Sequence, residues 1–149
     1  VAPTVYQFGY DAADQLTAAT NQTTNPAPTL LKRYAYAYDP AANRTSEQID
    51  DAVTSSSYDT LNRLTSQQGG GPLAFNGTVS KPARVIIQGQ PVTVDSLNRF
   101  SGSVVAPSRT TRVVIAATDG KGNQSAASYD VDQASVSRGF TYDANGSLR

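Results

Sequence analysis

Along the first third of the chain aromatic residues alternate with small or polar ones, at Tyr6, Phe8 and Tyr10 and again at Tyr34, Tyr36 and Tyr38. A period of two places each set of three rings on one face of an extended strand. An aspartate follows each row and predicts where the strand stops, because its carboxylate accepts backbone N–H groups of the next few residues, as in an Asx turn. The Asn, Asn-Gly or Ala-Asn that comes next tolerates the positive φ of a tight reversal. A return strand then leaves with Leu16, Leu64 or Leu148 on the side of the rings.

The phrase occurs four times, as Tyr10-Asp11-Ala12-Ala13-Asp14-Gln15-Leu16-Thr17, Tyr38-Asp39-Pro40-Ala41-Ala42-Asn43-Arg44-Thr45, Tyr58-Asp59-Thr60-Leu61-Asn62-Arg63-Leu64-Thr65 and Tyr142-Asp143-Ala144-Asn145-Gly146-Ser147-Leu148-Arg149. Each copy predicts a β-hairpin. The second reads as one residue longer, through Pro40, which predicts a bulge or a wider turn. The tyrosine rows read as a stacking ladder, in which an aromatic pair adds about 0.5–1.5 kcal/mol beyond the area it buries. Carbohydrate stacking is the alternative use of such rows, and the chain has no Trp to favour it. The polar stretch 21–29, with two prolines, reads as a long loop, and Asp50-Asp51 as a hairpin turn.

The aspartates of the copies lie 28, 20 and 84 residues apart, so the last gap predicts an insertion. Composition shifts at Gln67-Gln68-Gly69-Gly70-Gly71-Pro72, which places a glycine-rich hinge at 69–72. Short strands with regular turn signals follow at 75–79, 84–88, 91–95, 98–105, 110–118 and 125–131, and suit a small immunoglobulin-like β-sandwich over 73–132. The alternation predicts a core of Val85, Ile87, Val92, Val94, Phe100, Val104, Val113, Ile115, Ala117, Tyr129 and Val131. It turns Arg84, Ile86, Arg112, Val114 and Ala116 outward, and the apolar Ile86 and Val114 suggest that this outer face is partly covered. The fold class is therefore all-β, with hairpins over 1–68, the insert over 73–132 and a completing hairpin over 133–149.

Charge and composition narrow the chemistry. The 149 residues carry 12 basic and 12 acidic side chains, scattered singly, so there is no basic stripe for a nucleic acid or an anionic membrane. With no Cys and no His, thiolate nucleophiles, disulfides, the commonest general base and imidazole metal ligands are all missing. No apolar run approaches the length of a membrane-spanning helix. Val1-Ala2-Pro3 is neither a signal peptide nor an initiator Met, which reads as a piece of a longer or processed chain. Asp130 and Asp132 share a strand face and Asp50-Asp51 are adjacent, but neither pair lies in an identifiable cleft. Asp119 to Asn123 reads as a hairpin turn, one carboxylate being too little charge for a tight Ca²⁺ site. Gly69–Gly71 lacks the Lys and Ser/Thr of a phosphate loop. No catalytic residue, cofactor site or metal site is assigned, and the reading is of a protein that is not an enzyme.

The phrase Tyr-Asp-x-x-Asn-Arg-Leu-Thr, with Tyr-Asp-Pro-Ala-Ala-Asn-Arg-Thr-Ser beside it, resembles the YD repeats of bacterial Rhs proteins, of the C components of insecticidal toxin complexes and of animal teneurins. The resemblance covers roughly 4–68 and 133–149, and Ala42 stands where the family usually has Gly. It implies hairpins in one continuous sheet that spirals into a hollow shell, often around a toxic C-terminal domain. Rhs shells also carry a self-cleaving Asp-Pro-x-Gly-Leu phrase. The single Asp-Pro here, Asp39-Pro40, lacks the Gly-Leu and reads as a repeat turn. The insert resembles immunoglobulin-like accessory modules of bacterial surface proteins and glycoside hydrolases, such as domain B of glucodextranase, which serve as spacers. The last copy stops as its return strand starts, so unpaired edges are predicted at both ends of the sheet. Expected partners are further repeats of the same polypeptide or identical chains pairing edge to edge, and the expected setting is extracellular or on a bacterial cell surface.

Overall fold

The computed structural model describes residues 2–25 and 27–149; Val1, part of the N-terminal reading, and Pro26, one of the prolines of the 21–29 stretch, lie outside them. The described chain is all-β and antiparallel. Strands β1 (Thr4–Tyr10), β2 (Leu16–Thr23), β3 (Leu30–Tyr38), β4 (Arg44–Ile49), β5 (Ala52–Tyr58) and β6 (Leu64–Gly69) follow one another across a single sheet. Its seventh strand, β13 (Ser137–Gly139), pairs with β6, so residues 70–136 leave and re-enter this ribbon between neighbouring strands. A Tyr142–Leu148 bridge closes the fourth hairpin.

Pairing overrides composition at β2. Asn21, Gln22 and Thr23 were expected in a loop, yet Asn21 and Gln22 lie between Tyr6 and Val5 on one side and Lys32 and Leu30 on the other, Thr23 lies opposite Thr4, and the strand ends only there. A polar sequence forms a strand wherever both of its backbone edges find partners. Asp50 and Asp51 form the turn between β4 and β5.

The insert contains β7 (Gly71–Thr78), β8 (Ala83–Ile87), β9 (Gln90–Val92), β10 (Arg99–Ala106), β11 (Thr111–Asp119) and β12 (Gln124–Val131). They form a two-stranded sheet, β10-β7, and a four-stranded sheet, β12-β11-β8-β9. Leu73, Phe100 and Ala106 from the first meet Val85, Ile87, Val113 and Val131 from the second in one buried cluster. Val92, Val94, Val104, Ile115 and Ala117 pack against it half-buried. Tyr129 corrects the expected core. It points to the inner side but is 49% exposed, because β12 is the edge strand of its sheet and the ring lies along an open cleft, with Phe75 of β7 beside it. On the outer face, expected to be partly covered, Ile86 is half-buried whereas Val114 is exposed at 40%, so the cover reaches Ile86 and not Val114.

The cluster also takes in Val53 of β5, which ties ribbon and insert into one core. Register puts Gln48 opposite both Ala35 and Val53, hence on the ribbon face away from Tyr34 and Tyr36. On that face the buried Gln48 side chain accepts the Ala74 N–H (2.7 Å) and donates to the carbonyls of Asp50 (2.7 Å) and Ala74 (3.1 Å). Gln133, also buried, accepts the Val53 N–H and donates to the Asp51 carbonyl. The expected hinge at 69–72 is therefore a packed junction. The Gly70 N–H donates to the Val53 carbonyl, and the Ser55 hydroxyl donates to that of Gly70. A Cβ at Gly69 would collide with the Ala134 carbonyl, and one at Gly70 would lie 2.6 Å from that of Ala106.

Two consequences follow for stability. Leu73→Ala, which empties a fully buried position beside the junction, should lower the unfolding free energy by about 2–5 kcal/mol in urea titrations. Calorimetry should show ribbon and insert melting in one transition, because Val53, Gln48 and Gln133 belong to both; two resolved transitions would contradict a packed junction.

Candidate functional site

The four Tyr-Asp turns lie side by side along one end of the ribbon, and all four have the same backbone. In each, the aspartate N–H donates to the carbonyl four residues on, and the N–H three residues on donates to the aspartate carbonyl. The carboxylate Oδ1 accepts the N–H groups two and four residues later, at 2.8–3.0 Å. This is a type I turn closed by one residue of positive φ. That residue is Asp14, Ala42, Asn62 or Gly146, with φ between 59° and 81°.

The second copy is thus no longer than the others, because Ala42 takes the left-handed position that its neighbours give to Asp, Asn or Gly. A register shift does occur at Ala37/Tyr38, but it also occurs at Gly9/Tyr10 and Ser57/Tyr58 and belongs to the motif. Pro40 fits because the first turn position needs no N–H and a φ near that of proline. Asp39 of the Asp-Pro pair is engaged by Ala41 and Asn43 like every other turn aspartate.

The same turn closes two hairpins of the insert, at Asp95 and Asp119, with Asn98 and Gly122 at positive φ. A Tyr-Asp pattern passes over both, since Val94 and Thr118 stand before the aspartates. The visible signal is an Asp followed three residues later by Asn or Gly; Asp95-Ser96-Leu97-Asn98-Arg99 nearly repeats Asp59-Thr60-Leu61-Asn62-Arg63.

What sets the four ribbon copies apart is the tyrosine. The Tyr38 hydroxyl donates to the Leu16 carbonyl (3.0 Å), Tyr58 to Arg44 (3.0 Å) and Tyr142 to Leu64 (2.9 Å). Each acceptor lies opposite the tyrosine of the preceding hairpin, at Tyr10↔Leu16, Tyr38↔Arg44 and Tyr58↔Leu64. Every tyrosine after the first therefore fastens its own hairpin to the one before. Stacking is a smaller part of the ribbon than expected: among the described residues its one ring pair is Tyr6–Phe8, at 6.1 Å. Arg63 lies 4.9 Å over the Tyr142 ring, and the Asn43 amide donates to the Asn62 side chain, both across hairpin boundaries.

The register between hairpins is equally constant. The residue eight past one tyrosine faces the residue three before the next, as Ala18↔Ala35, Ser46↔Ser55 and Ser66↔Gly139. The connecting segments are 24–29, 50–51 and 70–136. Linkers so different in length do not set a common register; contacts between hairpins do.

The acidic candidates are engaged in structural contacts. Asp130 holds Arg112 in a two-point pair at 2.7 and 2.9 Å, and Asp132 accepts the Thr110 hydroxyl. Asp119 accepts the backbone N–H groups of Lys121 and Asn123, the Asn123 amide and the Lys81 ammonium. Asp50 accepts the Arg33 N–H. In the insert, a cleft of about 430 Å³ opens between the 79–81 segment and the inner face of β12, over Phe100, Ile115 and Ala117. Tyr129 lies along it, 6.2 Å from the Phe75 ring.

Four turn carboxylates are held below their ordinary value. The chief cause is the Asn43 amide at Asp39, the backbone N–H of residue 63 at Asp59, that of residue 99 at Asp95, and the Asn123 amide and Lys81 at Asp119. An unfolded Asp titrates near about 3.9. Their contribution to stability is then whole above about pH 4 and is lost as pH falls through the depressed folded values. Melting temperatures should be level from about pH 7 to 5 and drop below about pH 4. Asp59→Asn, which keeps an acceptor for both N–H groups but not the charge, should show a shallower acid decline than the parent.

No family model matches the chain, and no curated protein matches it.

Proposed function

We propose that the chain is a non-enzymatic structural segment of an extracellular, YD-repeat-like surface or secreted protein, in which hairpins added side by side extend a ribbon and the inserted, immunoglobulin-like module projects as a spacer or contact surface. The observation that carries this reading is the recurring hairpin interface: one turn geometry, one hydroxyl-to-carbonyl contact and one register, reached across three unrelated linkers. Interfaces that specify themselves suit a structure that grows by repetition. β1 ends the sheet, and such an edge pairs with another strand unless it is blocked. The turn aspartates Asp11, Asp39, Asp59, Asp95, Asp119 and Asp143 and the strand residue Asp130 are used as fasteners, which suits a scaffold.

In sedimentation velocity the chain should show an average mass that rises with concentration. The Val5→Lys/Gln7→Lys variant, with charges on the edge strand, should stay monomeric. A parent chain that remains monomeric at several hundred micromolar would count against pairing between copies.

One observation favours a second use of the insert. Tyr129, half-exposed beside Phe75 at the cleft, offers an aromatic wall of the kind that stacks on a sugar face. A glycan array should then give hits that Tyr129→Ala removes, and an array without hits eliminates this use.

A further inference from the structure

Tyr10 is the one repeat tyrosine whose hydroxyl has no hydrogen-bond partner among the described residues. Its counterparts each reach the carbonyl of the hairpin before them, whereas Tyr10 stands on the terminal strand β1 and is 61% exposed. Tyr6 and Phe8 on the same strand face are also exposed, and Tyr6 already accepts the Asn21 amide. The outer side of β1 is thus one half of an interface whose complete form is seen three times within the chain.

We propose that Tyr10 is the recognition residue for an incoming β-hairpin closed by the same Tyr-Asp turn, its hydroxyl donating to the backbone carbonyl six residues after the incoming tyrosine. This rests on the ribbon reading and adds the partner's chemistry and register to it. The partner brings a return strand antiparallel to β1, with the residue eight past its tyrosine opposite Gln7, as Ala18, Ser46 and Ser66 lie opposite the residues three before Tyr38, Tyr58 and Tyr142. The backbone edge supplies affinity, and the hydroxyl selects register. A slip by one residue would send every incoming side chain to the opposite face, and a slip by two would move the acceptor carbonyl by about 7 Å, beyond the reach of the phenol. The same contact admits any side chain at the acceptor position, since only its carbonyl is read: Leu16, Arg44 and Leu64 all serve.

The absence of cysteine makes the register directly measurable. A second copy of residues 52–69 is joined ahead of Thr4 of the full chain through a short Gly-Ser linker, which keeps the hairpin at high local concentration. Ser66→Cys in the appended hairpin with Gln7→Cys in β1 should lock as a disulfide under mild oxidation, while Gln68→Cys with Gln7→Cys should not. Tyr10→Phe should reduce the rate of correct locking about three- to ten-fold, the scale of one hydrogen bond, and Tyr6→Phe should leave it unchanged. Locking that is indifferent to Tyr10→Phe, or matched by Tyr6→Phe, overturns the role of Tyr10 while leaving edge pairing intact. Preferential locking through residue 68 overturns the register. No locking in any pairing, with the parent chain folded, overturns both this proposal and ribbon growth at β1.

Discussion

The structure depends first on a carboxylate that binds two backbone N–H groups at the tip of a hairpin. A reversal of this kind leaves turn N–H groups without strand partners, and the aspartate Oδ1 takes up those two and four residues on. With the turn closed this way, one residue must accept a left-handed backbone, and even Ala42 does so. A positive φ at alanine is unfavourable on its own. It is maintained because the carboxylate, the two backbone turn bonds and the flanking strand pairs all require it together. The same device closes hairpins in the ribbon and in the insert, so it is a local module indifferent to the sheet it terminates.

The ribbon that these turns organise has little interior. Among the described residues its buried side chains are Ala19, Ser46, Gln48 and Val53, and β1 is exposed along nearly its whole length. Cohesion comes from backbone pairing and from side chains that bond to the backbone of the neighbouring hairpin, with the tyrosine hydroxyls, each reaching the hairpin before, foremost. The apolar core sits in the insert and is shared with the ribbon through Val53. Around that shared residue, Gln48 and Gln133 satisfy backbone groups of the neighbouring element while buried themselves, so separating the two parts would leave buried polar groups unpaired. The insert is thereby a buttress set against the ribbon face opposite the tyrosines.

That division of faces bears on function. The insert covers the ribbon on one side, while Tyr6, Phe8 and Tyr10 remain exposed on the other. The hairpin interface carries its own register, so pairing between hairpins does not depend on linker length, and a segment as long as 70–136 leaves the following hairpin in register. In the scaffold proposed above, this rule would let a segment sit between repeats without loss of turn alignment.

The sequence alone determined the local modules: the Tyr-Asp hairpins, the insertion between the third and fourth copies, the strands of the insert and most of its inner face, because periodicity and turn chemistry act over a few neighbouring residues. Tertiary structure decided what depends on partners distant in the chain. Gly69–Gly71 look like a hinge from composition, yet the approach of Ala134 and Ala106 makes them a close-packed junction. Tyr129 has the right period for the core, but how far it is covered depends on sheet order, and β12 is an edge strand beside an open cleft. The tyrosine contacts lie 14 to 78 residues from their acceptors. Their acceptor is a backbone carbonyl, which every residue carries, so no side-chain pattern could have revealed it.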